Sequence, residues 1–472
     1  MKIKIIYNGI FLGIMAAFVA SCTVGKKYEQ TKLNIPEQYR TSKTEVKGDS
    51  ILLPWKSFFK DPQLASYIEK ALVNNNDVAT AIKNMEQLDL AYKKAKSNIL
   101  PTVDFSVGAG RTWSSSNSLN GSLNEQFSRN KYIDDYTATL KASWEVDIWG
   151  KTKMQKESAL ADYFAQKENL SALKTRIIVQ VAQAYYNLIS LDEQVKIAEK
   201  NIELSENTLK MMRLQYTSGQ INSLAIQQSE AQKKTAELLI PQAKQNIAVQ
   251  ENALSILCGE FPTAFERANS LQKMMSTEIL SEGIPAMLIS RRPDVKAAEY
   301  SVVSLNAKTG LAKAAMYPTF SLSPQIGVNS SKFSSWFDVP GSVTKAIAAN
   351  LANPILQKRQ LKTAYETAIL EQEKAVINYK KVLMQAVSEV SDAMAKSHGT
   401  TERLELLEKK GGYLEKGIND ALKLYTYGKS SYLEVITAQN NKLQNDLSTI
   451  SVILEKLSAE VDLYRVLGGG IN

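Results

Sequence analysis

Cys22 is the residue with the clearest chemical task. It follows Val19-Ala20-Ser21, after a charged start, Met1-Lys2-Ile3-Lys4, and an apolar run from Ile10 to Ala20. A basic start, a short apolar core and a small-residue cleavage point make a secretory signal. The run is too short for a spanning helix. Val19-Ala20-Ser21-Cys22 is similar to a bacterial lipobox, in which the Cys is acylated and becomes the first residue of the mature chain. An ordinary signal peptide that contains a Cys is the plainer alternative. Thr23 follows rather than Asp, which in lipoprotein sorting favours the outer membrane.

The other groups with chemical reach do not assemble. There is one His, His398, inside a helical pattern, and one further Cys, Cys258. With Cys22 acylated no disulfide framework is possible, and Cys258 reads as a small buried apolar residue. No Cys/His set has metal-ligand spacing, no glycine loop suits a phosphate, and no nucleophile motif is present. The expectation is a chain that is no enzyme, with no catalytic residue, no metal site and no cofactor. The formal charge of +9 does not point to nucleic acid, because Lys is interleaved with Glu along helical stretches and reads as solvated helix face. Function must then lie in the shape that the chain assembles.

That shape is written twice. Asp77-Val78, Ala95-Lys96 and Pro101-Thr102 recur as Asp294-Val295, Ala312-Lys313 and Pro318-Thr319, a shift of 217 residues. Tyr216-Thr217-Ser218-Gly219 recurs as Tyr425-Thr426-Tyr427-Gly428, and Cys258-Gly259 as Leu467-Gly468, a shift of 209. These are two copies of one unit, neither able to bury its surfaces alone. The chain divides into a signal at 1–21, a lipidated polar tether at 22–60, a first copy at 61–260, a linker at 261–284 and a second copy at 285–472. Each copy is expected to run helix, β-hairpin, long helical hairpin. The β-hairpins fall at 102–146 and 319–351, and the helical hairpins at 151–258 and 355–467.

The first helix spans roughly Pro62 to Ser97, with a break at Asn74-Asn75-Asn76. Then the period changes to two. Val103, Phe105, Val107 and Ala109 alternate with Thr102, Asp104, Ser106 and Gly108, and Ala138, Leu140, Ala142 and Trp144 with Thr139, Lys141, Ser143 and Glu145. Phe320, Leu322, Ile326 and Val328 repeat the pattern. It is weaker in Val343 to Leu351. Strands of about 10 residues cross a bilayer when tilted. A soluble sheet packed on helices shows the same alternation, but the signal and Cys22 favour a barrel wall, with lipid outside and water inside. Arg111–Asp135 and Asn329–Gly341 read as loops. Phe333, Trp336 and Phe337 in the second suit an interface belt or a loop cover.

Lys151 to Thr217 contains neither Gly nor Pro, enough for a helix about 100 Å long. Turns at Gly219 and Gly428 start return helices, Gln220 to Cys258 and Lys429 to Leu467, the first with a kink expected at Pro241. Four strands cannot close a barrel, and an open edge in hydrocarbon leaves backbone groups unpaired. Strands must therefore be pooled between chains. Two chains give eight strands and a filled interior; three give twelve and room for a channel. A trimer is the reading adopted here, although the sequence itself demands only more than one chain.

A series of markers now falls into order. They are Cys22-Thr23-Val24-Gly25 with Tyr28, Trp55 with Phe58 and Asp61-Pro62, and Trp144-Glu145-Val146-Asp147-Ile148-Trp149-Gly150. Arg291-Arg292-Pro293-Asp294, the Tyr-x-x-Gly turns at Gly219 and Gly428, and Tyr432-Leu433 complete the set. Over essentially the whole mature chain this resembles the TolC-like outer-membrane channels, specifically the lipoprotein outer-membrane factors of resistance-nodulation-division efflux systems (NodT or OprM/CusC type). The resemblance implies a mixed α and β membrane protein, internally duplicated, whose four strands per chain join a trimeric 12-stranded barrel. Long helical hairpins would continue it as a periplasmic tunnel. It implies a passive conduit in the outer membrane that exports small molecules, drugs or metal ions. Its partners would be two further copies of itself, a periplasmic adaptor, an inner-membrane pump and outer-membrane lipid, with no nucleic acid. Arg213, Tyr216, Gly219, Tyr425, Gly428, Tyr432 and Leu433 would form the periplasmic tip that docks the adaptor.

One departure stands at that tip. Ser430, Ser431 and Thr437 occupy positions where relatives commonly carry Asp, leaving Glu434 as the nearest candidate gate acid; a solvated surface acid is the alternative. Arg291 to Asp294 also has a plain structural reading, with Pro293 opening a helix and an acid at its positive end. The competing functions are a type I secretion channel for polypeptides and a non-conducting, periplasm-spanning structural lipoprotein. The second leaves the four alternating strands unexplained.

Overall fold

A computed structural model describes residues 24–29, 54–128, 130–268, 270–274, 289 and 291–469. The signal, Cys22, most of the tether and residues 275–284 of the linker lie outside the described residues. In chain order the elements are α1 (Trp55–Phe58), α2 (Pro62–Asn74), α3 (Asn76–Ser97), β1 (Thr102–Thr112), α4 (Leu119–Ser128), β2 (Ile133–Glu145), α5 (Lys151–Thr217) and α6 (Ser223–Leu257). After a short 3-10 turn at Gln272–Met274 come α7 (Pro293–Ala314), β3 (Thr319–Ser330), a second such turn at Phe333–Ser335, β4 (Val343–Ala352), α8 (Gln360–Thr426) and α9 (Tyr432–Val466).

The duplication is exact in helix length: α5 and α8 each have 67 residues, and α6 and α9 each have 35. Polar side chains set the boundaries. The Asp61 carboxylate accepts from the Leu64 amide at 2.8 Å, with Pro62 at the first helical position of α2. Asn75 makes the expected break: its Oδ1 accepts from the amides of Asp77 and Val78 and so starts α3. The return helices begin later than their expected starts at Gln220 and Lys429. The turns use residues up to Asn222 and Ser431, and the Asn222 side chain caps α6 by accepting from Ala225. Pro241 lies inside α6, which runs on through it.

The four strands form one antiparallel sheet in the order β1-β2-β3-β4. They contain 11, 13, 12 and 10 residues, each enough to span a bilayer at a tilt. β4 forms fully despite its weak alternation. The stretch expected as a plain loop between β1 and β2 carries a helix, α4. Ser118 starts it, its Oγ accepting from the Gly121 amide at 3.1 Å. No described helix is long and apolar enough to cross a membrane.

The chain packs as two compact units, each drawing on both copies. The first contains residues 24–29, Glu86–Phe164 and Glu299–Ile377, and thus the sheet. The second takes the rest of the described chain and holds the largest core, built from Leu64 and Ile68 of α2, Ile178, Tyr185 and Leu188 of α5, Leu254 of α6 and Leu457 of α9. Each such buried side chain contributes roughly 1.5–3 kcal/mol. The Tyr464 ring stacks on Phe58 at 4.7 Å. Arg267, just after α6, is pinned between Asp192 at 2.5 Å and Glu251 at 2.7 Å, which fastens the start of the linker to α5 and α6.

Candidate functional site: a two-faced sheet and two helical turns

Residues directly opposite in an antiparallel sheet share a face. The register pairs Phe105 with Leu140, Leu140 with Ile326, and Val107 with Ala138, Ala138 with Val328 and Val328 with Val343. One face therefore collects Val103, Phe105, Val107, Leu140, Leu322, Ile326, Ile347 and Leu351. The opposite face collects Asp104, Ser106, Thr139, Lys141, Ser323, Gln325 and Asn350. Phe105 is 70% exposed and Ile347 78%. An apolar face left this open on one chain needs a cover, and neither β1 nor β4 has a partner on its outer edge within the described chain. Both deficits vanish if the edges pair with further copies and the apolar face meets lipid.

The strand ends that lead into helices are locked by the Trp144–Gly150 segment. Trp144 Nε1 donates to the Ile99 carbonyl at 2.9 Å, and Trp149 Nε1 to the Pro318 carbonyl at 2.6 Å. The Asp147 carboxylate accepts from the Lys153 amide at 3.0 Å and caps α5. Residues 24–29 dock here too: the Val24 amide donates to the Trp149 carbonyl, and Asn306 Nδ2 of α7 donates to the Lys26 carbonyl.

At the far end of each long helix the chain reverses through the same turn. Gly219 and Gly428 have φ of +73° and +66°. The Gly219 amide donates to the Tyr216 carbonyl and the Gln220 amide to that of Gln215; Gly428 and Lys429 do the same with Tyr425 and Leu424. This is the glycine-ended helix stop, in which a left-handed residue lets two amides satisfy the last carbonyls. The equivalent tyrosines differ. Tyr216 is 46% exposed, whereas Tyr425 is buried at 6% and its hydroxyl is hydrogen-bonded to Gln215. Tyr425, Met212 and Val435 form a small core, packed by Tyr432, Met211 and Ile221, that joins the two hairpins.

Of the expected tip residues, Arg213 lies on the surface and pairs with Glu230 at 2.5 Å, which ties α5 to α6. Leu433 is 55% exposed. Glu434 sits in the first turn of α9, where the Ser430 hydroxyl donates to it and the helix dipole favours an acid. The joining core was not readable beforehand, because Met212 and Gln215 carry no motif and meet Tyr425 only through long-range packing. Arg292 belongs to the Arg291–Asp294 marker, yet its long-range partners Glu389 and Val466 carry no sequence signal. It is almost wholly buried and bridges Asp294 at 2.7 Å and Glu389 at 2.8 Å, and it donates to the Val466 carbonyl. Burial alone would raise the Asp294 carboxyl, but the hydrogen bonds and charge of Arg292 outweigh it and hold the group below its ordinary range. Cys258 is buried as expected, and burial pushes its thiol up to about 11.

A family model described as outer membrane efflux protein matches residues 67–260 and 284–469. The cation efflux system protein CusC of Escherichia coli K12 is 25% identical over 459 residues, covering 97% of this chain and 98% of the relative. The probable outer membrane lipoprotein SilC of Salmonella typhimurium is 25% identical over 464 residues, again 97% and 98%. Among solved structures, the open state of the Neisseria gonorrhoeae MtrE outer membrane channel matches with a TM-score of 0.84 at 25% identity. That match covers 95% of this chain and 99% of the other.

Proposed function

We propose, from the premise that this chain belongs to the outer membrane efflux protein family, that it is the passive outer-membrane conduit of a tripartite efflux system and works as a trimer. The family is one of transport channels of the outer membrane, not of enzymes. The observation that carries the trimer is the sheet: four strands, one apolar face, one polar face, and two outer edges without a partner. Three chains supply twelve strands, which closes every edge and leaves a polar lumen. The helical hairpins α5–α6 and α8–α9 line the onward path. Their turns at Gly219 and Gly428 meet a periplasmic adaptor, which links the conduit to an inner-membrane pump. Cys22 carries the lipid anchor. The cargo is a small molecule or metal ion selected by the pump, consistent with a relative named for cation efflux.

The test has two arms. Mass measurement of the detergent-solubilised protein should give three chains, and a monodisperse folded monomer removes the shared barrel. The trimer in a planar bilayer should conduct. A trimer that inserts and never conducts favours the structural-strut reading instead.

A further inference from the structure

Lys345 breaks the pattern of the apolar sheet face. It lies opposite Ile326 in the register, in the row that continues through Leu140 to Phe105. It is exposed and forms no ion pair among the described residues. Only one other cation shares this face within the strands, Arg111, and it is held by Asp134 at 2.6 and 2.8 Å and stacked on the Tyr132 ring at 4.0 Å. Asp134 is the one acid that the register places on this face. A second copy pairing along the open β1 edge would bring only Val103, Phe105, Val107, Ala109 and Arg111 on the same face, so no strand register between copies gives Lys345 a carboxylate.

Depth decides what Lys345 can do. A lysine at the midplane of a barrel wall costs about 2–4 kcal/mol, but near the interface about 0–1 kcal/mol. Lys345 is two residues inside the end of β4 that is remote from the long helices α5 and α8, about 7 Å along the strand, within reach of the headgroups for a snorkelling side chain. The same end carries an aromatic platform. Tyr136, on the apolar face, meets Phe333 at 5.6 Å and Trp336 at 5.7 Å, and Trp336 meets Phe337 at 4.8 Å. Phe333 and Phe337 are 70% and 67% exposed. The Trp336 indole N–H is buried without an acceptor among the described residues. Tyr136 and Lys345 are four register positions apart, about 13 Å along the strands, the length of a small sugar head.

We propose that this rim binds a glycolipid of the outer leaflet, with Lys345 on a phosphate and the exposed Phe333 and Phe337 rings against the sugar. The cation supplies charge complementarity to an anionic head, and the aromatic faces suit the C–H faces of a carbohydrate, which a simple phospholipid head lacks. The inference rests on the proposed barrel, since only then does the apolar face meet lipid and this end face outward.

The test is native mass spectrometry of the full-length protein, titrated with a bisphosphorylated diglucosamine lipid and separately with phosphatidylglycerol. The glycolipid is expected to bind preferentially. Lys345→Ala should weaken it about fivefold, the weight of one lysine at a charged membrane surface, and Phe333→Ala with Phe337→Ala should erase the preference. Lys345→Ala removes a charge from an apolar face, so it should fold. Lys308→Ala, on α7 and paired with Asp162, should leave binding unchanged. Equal affinity for the two lipids, or glycolipid binding indifferent to Lys345→Ala, overturns the proposal. The same spectra count chains: a trimer without glycolipid defeats this inference alone, whereas a monomer defeats the barrel.

Discussion

Gly25 and Gly310 pack backbone to backbone. A Cβ built on Gly310 would lie 3.1 Å from the Gly25 Cα and would also collide with Met154 Sδ. The contact clips residues 24–29 along α7, helped by Asn306 on the Lys26 carbonyl at 2.9 Å and by Tyr28 donating to Glu299 at 3.3 Å. Nothing larger than glycine fits without displacing the strap or the methionine. Gly310→Leu should expel the strap at a cost of about 1–3 kcal/mol, typical of overpacking. Lys26 and Lys27 would then open to trypsin, and limited proteolysis with N-terminal sequencing should detect cleavage there in the variant and not in the parent. Equal resistance of both would show that the strap is held by other contacts.

The Arg292 bridge predicts a pH dependence. The folded Asp294 carboxyl sits below its ordinary value of 3.8. A depressed group stabilises the fold fully above that ordinary value, and the contribution is lost as pH falls through the folded value. The thermal midpoint should therefore drop below about pH 4, and Asp294→Asn should flatten part of that drop. Arg292→Met leaves two carboxylates without their shared cation. Breaking a buried pair costs about 3–5 kcal/mol. The lower end applies here, because the Asp294 and Glu389 side chains keep 42% and 39% exposure and Arg465 still reaches Glu389 at 3.3 Å. Chemical denaturation of the intact protein measures both.

The two faces of the sheet give opposite outcomes for one substitution. Phe105→Arg or Leu140→Arg puts a charge on the apolar face and should cost about 2–4 kcal/mol if the site lies near the bilayer midplane. Ser106→Arg or Thr139→Arg lies on the polar face and should be mild. The yield of folded oligomer in the outer membrane ranks them. Equal loss at all four positions would mean that both faces are buried against protein and that no lumen exists.

Much of this was legible in the sequence because its signals are local. Alternation at Val103 to Ala109 fixed the strand faces, and Gly219 and Gly428 punctuated helices free of other breakers. What stayed hidden is tertiary. Tyr216 and Tyr425 stand in matched motifs, yet only Tyr425 is buried, since Met212, Gln215 and Val435 close on it from other helices. The clip at Gly25 joins residues far apart in the chain, and a glycine in α7 gave no hint of its partner. Helix α4 gives no helical signal in the sequence because its Ser- and Asn-rich stretch has the composition of a loop, and a single cap at Ser118 starts it.

The two turns should not be equal under mutation. A Cβ at Gly219 or Gly428 meets nothing within 4 Å, so the strain of a substitution lies wholly in the positive φ. A non-glycine residue held in that region costs about 1–3 kcal/mol, with β-branched residues at the upper end. Gly219→Val distorts a turn whose tyrosine already faces solvent. Gly428→Val pulls on the end of α8 that carries Tyr425, and so on the core with Met212 and Val435 and on the bond to Gln215 that ties the hairpins together. Both variants should reach the outer membrane as oligomers, and Gly428→Val should lose more efflux. Tyr425→Phe, which deletes the Gln215 bond and keeps the ring, should fall between the parent and Gly428→Val. Efflux assays in cells, normalised to oligomer in the membrane, rank the three. Site-directed crosslinking from positions 213–224 and 423–434 to the periplasmic adaptor gives the independent check. Crosslinks confined to the strands or to the middle of α5 and α8 would place docking elsewhere, and equal efflux from Gly219→Val and Gly428→Val would remove the Tyr425 core from the working of the tip.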